Sequence, residues 1–163
     1  MIGNDIVDLA LARKESNWKR KGFLDKIFTI KEQFLINSAE NPEIMVWNLW
    51  SRKEAAYKIY NRQTGIRAYI PIQLECVYGD ENSGSVLCDG NEYYTQTKIS
   101  NDCIYTVAVT DSSHFKKIVL LDPNILISKD DGKPFITDNN GLINKAVSVS
   151  HHGRFQESIM LTE

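Results

Sequence analysis

The chain has 163 residues, 42% of them hydrophobic and 25% charged, a composition that suits one ordinary globular domain and not a disordered or fibrous segment. Its 19 basic and 21 acidic residues leave a net charge of -2, which argues against a general nucleic-acid binder. No apolar run approaches the ~20 residues of a membrane span, and Asp5, Asp8, Arg13, Lys14 and Glu15 make the N-terminal stretch too charged for a signal peptide. Cys76, Cys88 and Cys103 are odd in number and lack CxxC spacing, so neither a zinc site nor a disulfide framework is expected, and reduced thiols fit the cytosol. The expectation is a cytoplasmic single domain over residues 1–163, with no nucleic-acid or membrane partner.

Ile2 to Leu9 reads as a short buried strand, with Ile2, Ile6, Val7 and Leu9 apolar. Lys14 to Lys21 is basic and poorly periodic, which predicts a loop or a surface helix. Thr29 and Glu32 have capping-box spacing and open a helix carrying Phe34 and Leu35. Asn41-Pro42 reads as an N-cap followed by a first-turn proline. The helix that starts there should carry Trp47, Trp50, Glu54 and Lys58 and stop near Thr64-Gly65.

Beyond this helix the pattern turns to strands. Tyr69–Tyr78, Ser85–Leu87, Tyr93–Ile99, Ile104–Val109 and Ile118–Leu121 are β-branched or aromatic runs separated by turn clusters, and they read as an antiparallel meander. Asp130 to Pro134 is a turn. Lys145–Ser150 and Phe155–Leu161 read as two more strands about Ser150-His151-His152-Gly153. The fold class is therefore α+β, helices packed on an antiparallel sheet.

Asp5 stands inside an apolar strand, where a carboxylate is costly unless a cation or hydrogen bonds satisfy it. It is either a turn-capping acid beside Gly3-Asn4 or part of a site. Glu54 and Lys58, four apart on one helix, are either a surface pair or site residues; Glu54 stands on the side of Trp47 and Trp50, which counts against the surface pair. Two carboxylates from separate elements with a lysine nearby are what a Mg²⁺ site for phosphate chemistry needs. Ser150, His151, Gly153 and Arg154 form a donor-rich turn suited to a phosphate, while His152 and His114 read as surface residues. No GxSxG, GxxxxGK[ST] or GxGxxG sequence is present.

These pieces together resemble the 4′-phosphopantetheinyl transferases. Gly3-Asn4-Asp5-Ile6-Val7-Asp8-Leu9 is similar to that family's GxDIVxI opening, in particular that of the holo-acyl-carrier-protein synthase class. Trp50-Ser51-Arg52-Lys53-Glu54-Ala55-Ala56-Tyr57-Lys58 resembles the [WF]xxKEAxxK helix, and Thr64-Gly65-Ile66-Arg67 the segment after it. Gly132-Lys133-Pro134 and Ser148-Val149-Ser150-His151 resemble the GKP and SxSH motifs.

The resemblance implies transfer of phosphopantetheine from coenzyme A to a serine of an apo acyl or peptidyl carrier protein, releasing adenosine 3′,5′-bisphosphate. It implies Asp5 and Glu54 as Mg²⁺ ligands and Lys58 as a catalytic phosphate contact, with Glu54, directly or through a metal-bound water, as the base for the carrier serine. Lys133, Ser150 and His151 match coenzyme A contacts, and His152, on the opposite strand face, is expected to matter little. Val7 stands where the two-halved class has a second acid, which leaves that coordination place to water. Leu11 stands where the short class has an arginine for the carrier, with Arg13 nearby. A homotrimer is expected, since the short class builds its site between subunits. The competing reading is a non-catalytic coenzyme A or carrier-protein binding module of the same fold.

Overall fold

The computed structural model describes residues 1–137 and 144–162. Strand β1 (Ile2–Asp8) runs directly into helix α1 (Leu9–Glu15), followed by α2 (Phe23–Ile27), α3 (Ile30–Ser38) and the long α4 (Pro42–Thr64). Strands β2 (Glu75–Tyr78), β3 (Ser83–Cys88), β4 (Asn91–Ile99) and β5 (Cys103–Val109) form a meander. Strands β6 (Ile118–Leu120), β7 (Ser128–Asp130), β8 (Lys133–Thr137), β9 (Asn144–His152) and β10 (Phe155–Leu161) follow. All pairings are antiparallel, and they divide between two five-stranded sheets, β1-β5-β4-β3-β2 and β6-β10-β9-β8-β7. The α+β expectation holds.

Three readings of the sequence need correction. The stretch read as a loop or surface helix from Lys14 holds only the end of a helix that starts earlier, α1 (Leu9–Glu15), which Asp8 opens by accepting the amides of Ala10 and Leu11; a cap at the end of a strand hides the boundary. Of Tyr69–Tyr78 only the last four residues are strand, because Pro71 opens a 3₁₀ turn through Gln73. Ile118–Leu120 leaves the meander and pairs with β10 in the second sheet.

The helix signals hold. Thr29 and Glu32 make a reciprocal capping box on α3. Asn41 Oδ1 accepts the Ile44 amide at 3.2 Å at the start of α4, and Gly65 ends that helix in the left-handed conformation. Phe34, by contrast, is 72% exposed, and α3 buries Ile36 and Glu32 in its place.

Helix α4 lies on one face of the first sheet. Val46, Leu49, Ala56 and Ile59 pack there with Val86, Tyr93, Ile104 and Ala108 in the main core. Strand β1 approaches α4 so closely that a Cβ on Gly3 would collide with the Ala55 carbonyl oxygen. Its other face carries Ile2 into a smaller cluster with Val107, Val109 and Ile159. Burial on both faces explains why β1 reads as a nearly continuous apolar run.

The second sheet meets β1 without a strand ladder. The Asn4 amide donates to Ser148 Oγ at 2.9 Å, and Ser148 Oγ donates to Asn4 Oδ1 at 2.7 Å. Helix α4 adds two cross-links. Lys58 Nζ donates to the carbonyls of Asn4 at 2.6 Å and Val149 at 3.0 Å, and Arg62 Nη2 to those of Pro134 and Val147, each at 2.9 Å. β1, α4 and β9 therefore meet along one seam.

Candidate active site

Side chains alternate along β1, so Asp5 and Val7 share the α4 side with Gly3. They line a cavity of about 270 Å³ with Trp47, Trp50 and Glu54 of α4, His151 and His152 of β9, and Ala12 and Ser16 at α1. Val7, at the place of the absent second acid, is thus part of the cavity wall. Trp47 and Trp50 meet edge to face at 6.5 Å, and Trp50 in turn meets Tyr69 at 5.8 Å. The tryptophans serve the packing and the cavity wall together.

The carboxylates are not solvated surface groups. Burial pushes the Asp5 carboxyl up to about 7, with the Lys58 ammonium pulling it down, Glu54 raising it and Ser51 opposing the rise. Asp5 Oδ2 is buried and has no hydrogen-bond partner. Burial likewise raises Glu54, against the pull of Lys58 and of the Tyr69 hydroxyl. Lys58 is lowered by burial and raised by both acids. The surface-pair reading of Glu54 and Lys58 is therefore set aside, as is turn capping by Asp5, a task that falls to Asp8.

An orphaned carboxylate oxygen beside a second desolvated carboxylate fits a cation. Among the described residues no cluster of three or more metal-ligating side chains occurs. A pair of carboxylates matches Mg²⁺, which keeps several waters and takes one or two protein acids alongside substrate phosphates.

One turn further along α4 lies a second cavity of about 180 Å³, lined by Lys58, Asn61, Arg62, Lys129, Lys133 and Ser148 among others. The hairpin that carries Lys129 and Lys133 is fastened at its turn, Asp131-Gly132, by an ion pair of Asp131 with Arg67. The structure thus groups Asp5, Glu54 and His151 about one cavity and Lys58 and Lys133 about the next. Ser150 lines neither: it is buried, and its hydroxyl has no partner.

The sequence patterns do not single out Arg62 or Tyr69. Arg62 continues the four-residue spacing of Glu54 and Lys58, a signal legible in principle; Tyr69 stands at the start of a run that reads as a strand. The donor-rich turn needs correction too. Arg154 spends its guanidinium on Asp8, with Nε to Oδ2 and Nη2 to Oδ1, both at 2.9 Å, and it holds the Asp8 carboxyl far below the usual range. His152 is no free surface residue either, since its Nδ1 accepts the Asp8 amide at 2.8 Å. His114 is half-buried, with Nδ1 enclosed.

The sequence profile of the 4′-phosphopantetheinyl transferase superfamily matches residues 1–108, about two thirds of the chain. The chain belongs to this superfamily. The match ends within β5, so it covers Asp5, Glu54 and Lys58, while Lys133, Ser150 and His151 lie beyond it. Within the superfamily, the holo-[acyl-carrier-protein] synthase of Caldanaerobacter subterraneus subsp. tengcongensis is 29% identical over 89 residues, 55% of this chain and 68% of that one. The structure of Helicobacter pylori holo-[acyl-carrier-protein] synthase in complex with coenzyme A aligns with a TM-score of 0.54 at 18% identity, over 68% of this chain and 100% of that one. That of the Thermotoga maritima synthase aligns at 0.51 and 11% identity, over 99% of this chain and 83% of that one. At these identities the solved structures establish a shared phosphopantetheinyl-transferase fold. No helix among the described residues is long and apolar enough to cross a membrane.

Proposed function

We propose that this chain transfers 4′-phosphopantetheine from coenzyme A to a serine of an apo acyl carrier protein, releasing adenosine 3′,5′-bisphosphate. One observation carries the reading: in a protein of this superfamily, Asp5 and Glu54 share a cavity with His151, and Lys58 stands beside them. A binding module would have no use for two desolvated acids, one with an orphaned oxygen, since both cost stability.

Asp5 and Glu54 would hold Mg²⁺, which supplies neutralisation of the charge on the pyrophosphate oxygens. Phosphoryl-type transfer is accelerated mainly by positioning and charge stabilisation. Lys58, fixed by two carbonyls, presents its ammonium charge beside that pyrophosphate. Lys133 adds a point charge from the neighbouring cavity, and His151 a directed donor from the end of β9. Ser150, whose buried hydroxyl has no partner, is the remaining proposed coenzyme A contact. Glu54 accepts the carrier serine's proton, and desolvation makes it a stronger base than a surface glutamate.

A homotrimer is part of this reading, and a monomer by light scattering that stays fully active would overturn that part. The assignment to the cytoplasm rests on the composition.

The test is mass spectrometry of an apo carrier protein after incubation with this chain, coenzyme A and Mg²⁺. Gain of one phosphopantetheine on the serine is expected, and loss of that gain when a chelator is added. An unmodified carrier, across carriers of fatty-acid and secondary-metabolite type, overturns the proposal.

A further inference from the structure

The carboxylate cavity has a second histidine, and its bonds run away from the chemistry. His152 Nδ1 accepts the amide of Asp8, and its Nε2 lies 3.8 Å from Glu15 Oε2. Asp8 caps the start of α1 and Glu15 is its last residue. One imidazole on β9 thus touches both ends of the helix. A single neutral tautomer serves both contacts, since an acceptor at Nδ1 leaves the proton on Nε2, facing the Glu15 carboxylate.

The next two residues reinforce the same junction. Gly153 lies against Asp8 so closely that a Cβ would collide with its carboxylate. The Arg154 amide donates to Asp8 Oδ2 at 3.0 Å, in addition to its guanidinium. Three consecutive residues of the β9–β10 hairpin therefore address the join between β1 and α1.

What they hold in place is a wall of the site. Ala12 of α1 and Ser16 at its end line the carboxylate cavity. Ser16 also lines the neighbouring depression of about 340 Å³, bordered by Arg13, Lys14, Trp18 and Lys19. Of the residues proposed for coenzyme A, Lys58 and Lys133 lie on the far side, beyond Glu54, while His151 lines the carboxylate cavity beside His152. The α1 side, continuous through Ser16 with the neighbouring depression, gives a second substrate a route to Glu54.

We propose that His152 is a positioning residue: it latches α1 to β9 and so sets the wall past which the carrier serine reaches Glu54. The proposal rests on the transferase reading for its kinetic half and on geometry alone for its structural half. The experiment separates the two.

The full chain is compared with H152A, H152N and H152Q. Asparagine places an oxygen where Nδ1 stands and keeps the Asp8 bond; glutamine reaches only toward Nε2 and loses it. Hydrogen exchange of the Asp8–Glu15 amides should quicken by roughly fivefold in H152A and H152Q, the weight of one lost hydrogen bond. It should stay near the parent rate in H152N, with α4 unchanged in all three. With coenzyme A, Mg²⁺ and an apo carrier protein, the KM for the carrier should rise by a similar factor in H152A and H152Q and recover in H152N, while the KM for coenzyme A stays put. Unchanged α1 exchange in H152A overturns the latch. A fall in kcat with both KM values unchanged, matching a melted fraction, reduces His152 to a folding contact and overturns its positioning role. If the parent chain modifies no carrier, the transferase reading fails, and the exchange data still decide the latch.

Discussion

Helix α4 carries two acid–lysine clusters one residue apart in sequence, and they are built in opposite ways. Lys53 and Glu32 form a closed one. Both side chains are fully buried and joined at 2.8 Å. Lys53 Nζ also donates to the carbonyls of Ile27 and Pro71, and Glu32 accepts the amides of Thr29 and Cys76. Glu54, the next residue, joins Asp5 and Lys58 in an open one, where the lysine is satisfied by backbone carbonyls while an Asp5 oxygen has no partner. A buried pair with complete bonding is a structural element; a buried acid left incomplete marks a place where a ligand completes it.

Substitutions should separate the two clusters. Glu54→Gln and Asp5→Asn are nearly isosteric, and each should lower transfer by roughly a thousandfold or more while leaving the fold intact. Normal turnover at low Mg²⁺ in either variant would end the metal assignment. Lys53→Met, one residue away, should do the reverse. Leaving the Glu32 charge buried and uncompensated should cost about 3–5 kcal/mol in denaturant titration, with the remaining folded protein keeping its turnover. A Lys53→Met chain as stable as the parent would show that the closed cluster is not what holds α3 to α4.

A third variant turns the comparison into a pH experiment. The Asp5 carboxyl is raised to about 7 from an ordinary 3.8, so the folded chain holds the proton more tightly than the unfolded one. That contribution to stability is complete below about pH 4 and is lost as pH rises through 7. Without metal, Asp5→Asn should therefore be more stable than the parent at pH 8, by on the order of 4 kcal/mol. The gap should close toward pH 4, as read from melting curves. A destabilised Asp5→Asn chain at pH 8 would mean that Asp5 is bonded as completely as Glu32.

The smallest expected effect concerns the ligand that completes the open cluster. His151→Ala should weaken coenzyme A binding in calorimetry by about 1–2 kcal/mol, the weight of one hydrogen bond to a charged group. An unchanged affinity would remove His151 from the site.

Much of this was legible from the residues. The caps at Thr29, Asn41 and Gly65 are local chemistry, decided within one helical turn, and the alternation of β4 follows from its place on a half-buried sheet, whereas β5, buried on both faces, was legible from its β-branched run. The cue for Asp5 was a carboxylate in an apolar strand. The division into two sheets was not legible, because whether β6 joins the meander or β10 depends on partners distant in sequence. The role of His152 was missed for a related reason. Alternation places it opposite His151, yet the strand end brings both to one cavity, and the Asp8 amide that fixes it comes from 144 residues away.

The sequence by itself determined helices α3 and α4 and most strands, and its resemblance to the transferases singled out Asp5, Glu54, Lys58 and the SxSH run as the proposed site. Only the tertiary structure decided which acids are left incomplete. Lys53-Glu54 reads as one ion-rich step of a helix, and nothing local distinguishes its members. Glu32 and the Cys76 amide arrive from one side and close the bonding around Lys53. β1 and β9 arrive on the side of Glu54 and enclose it with Asp5, leaving Asp5 Oδ2 without a donor. Desolvation depends on everything that packs around a group, so it is a property of the assembled fold and of no single segment.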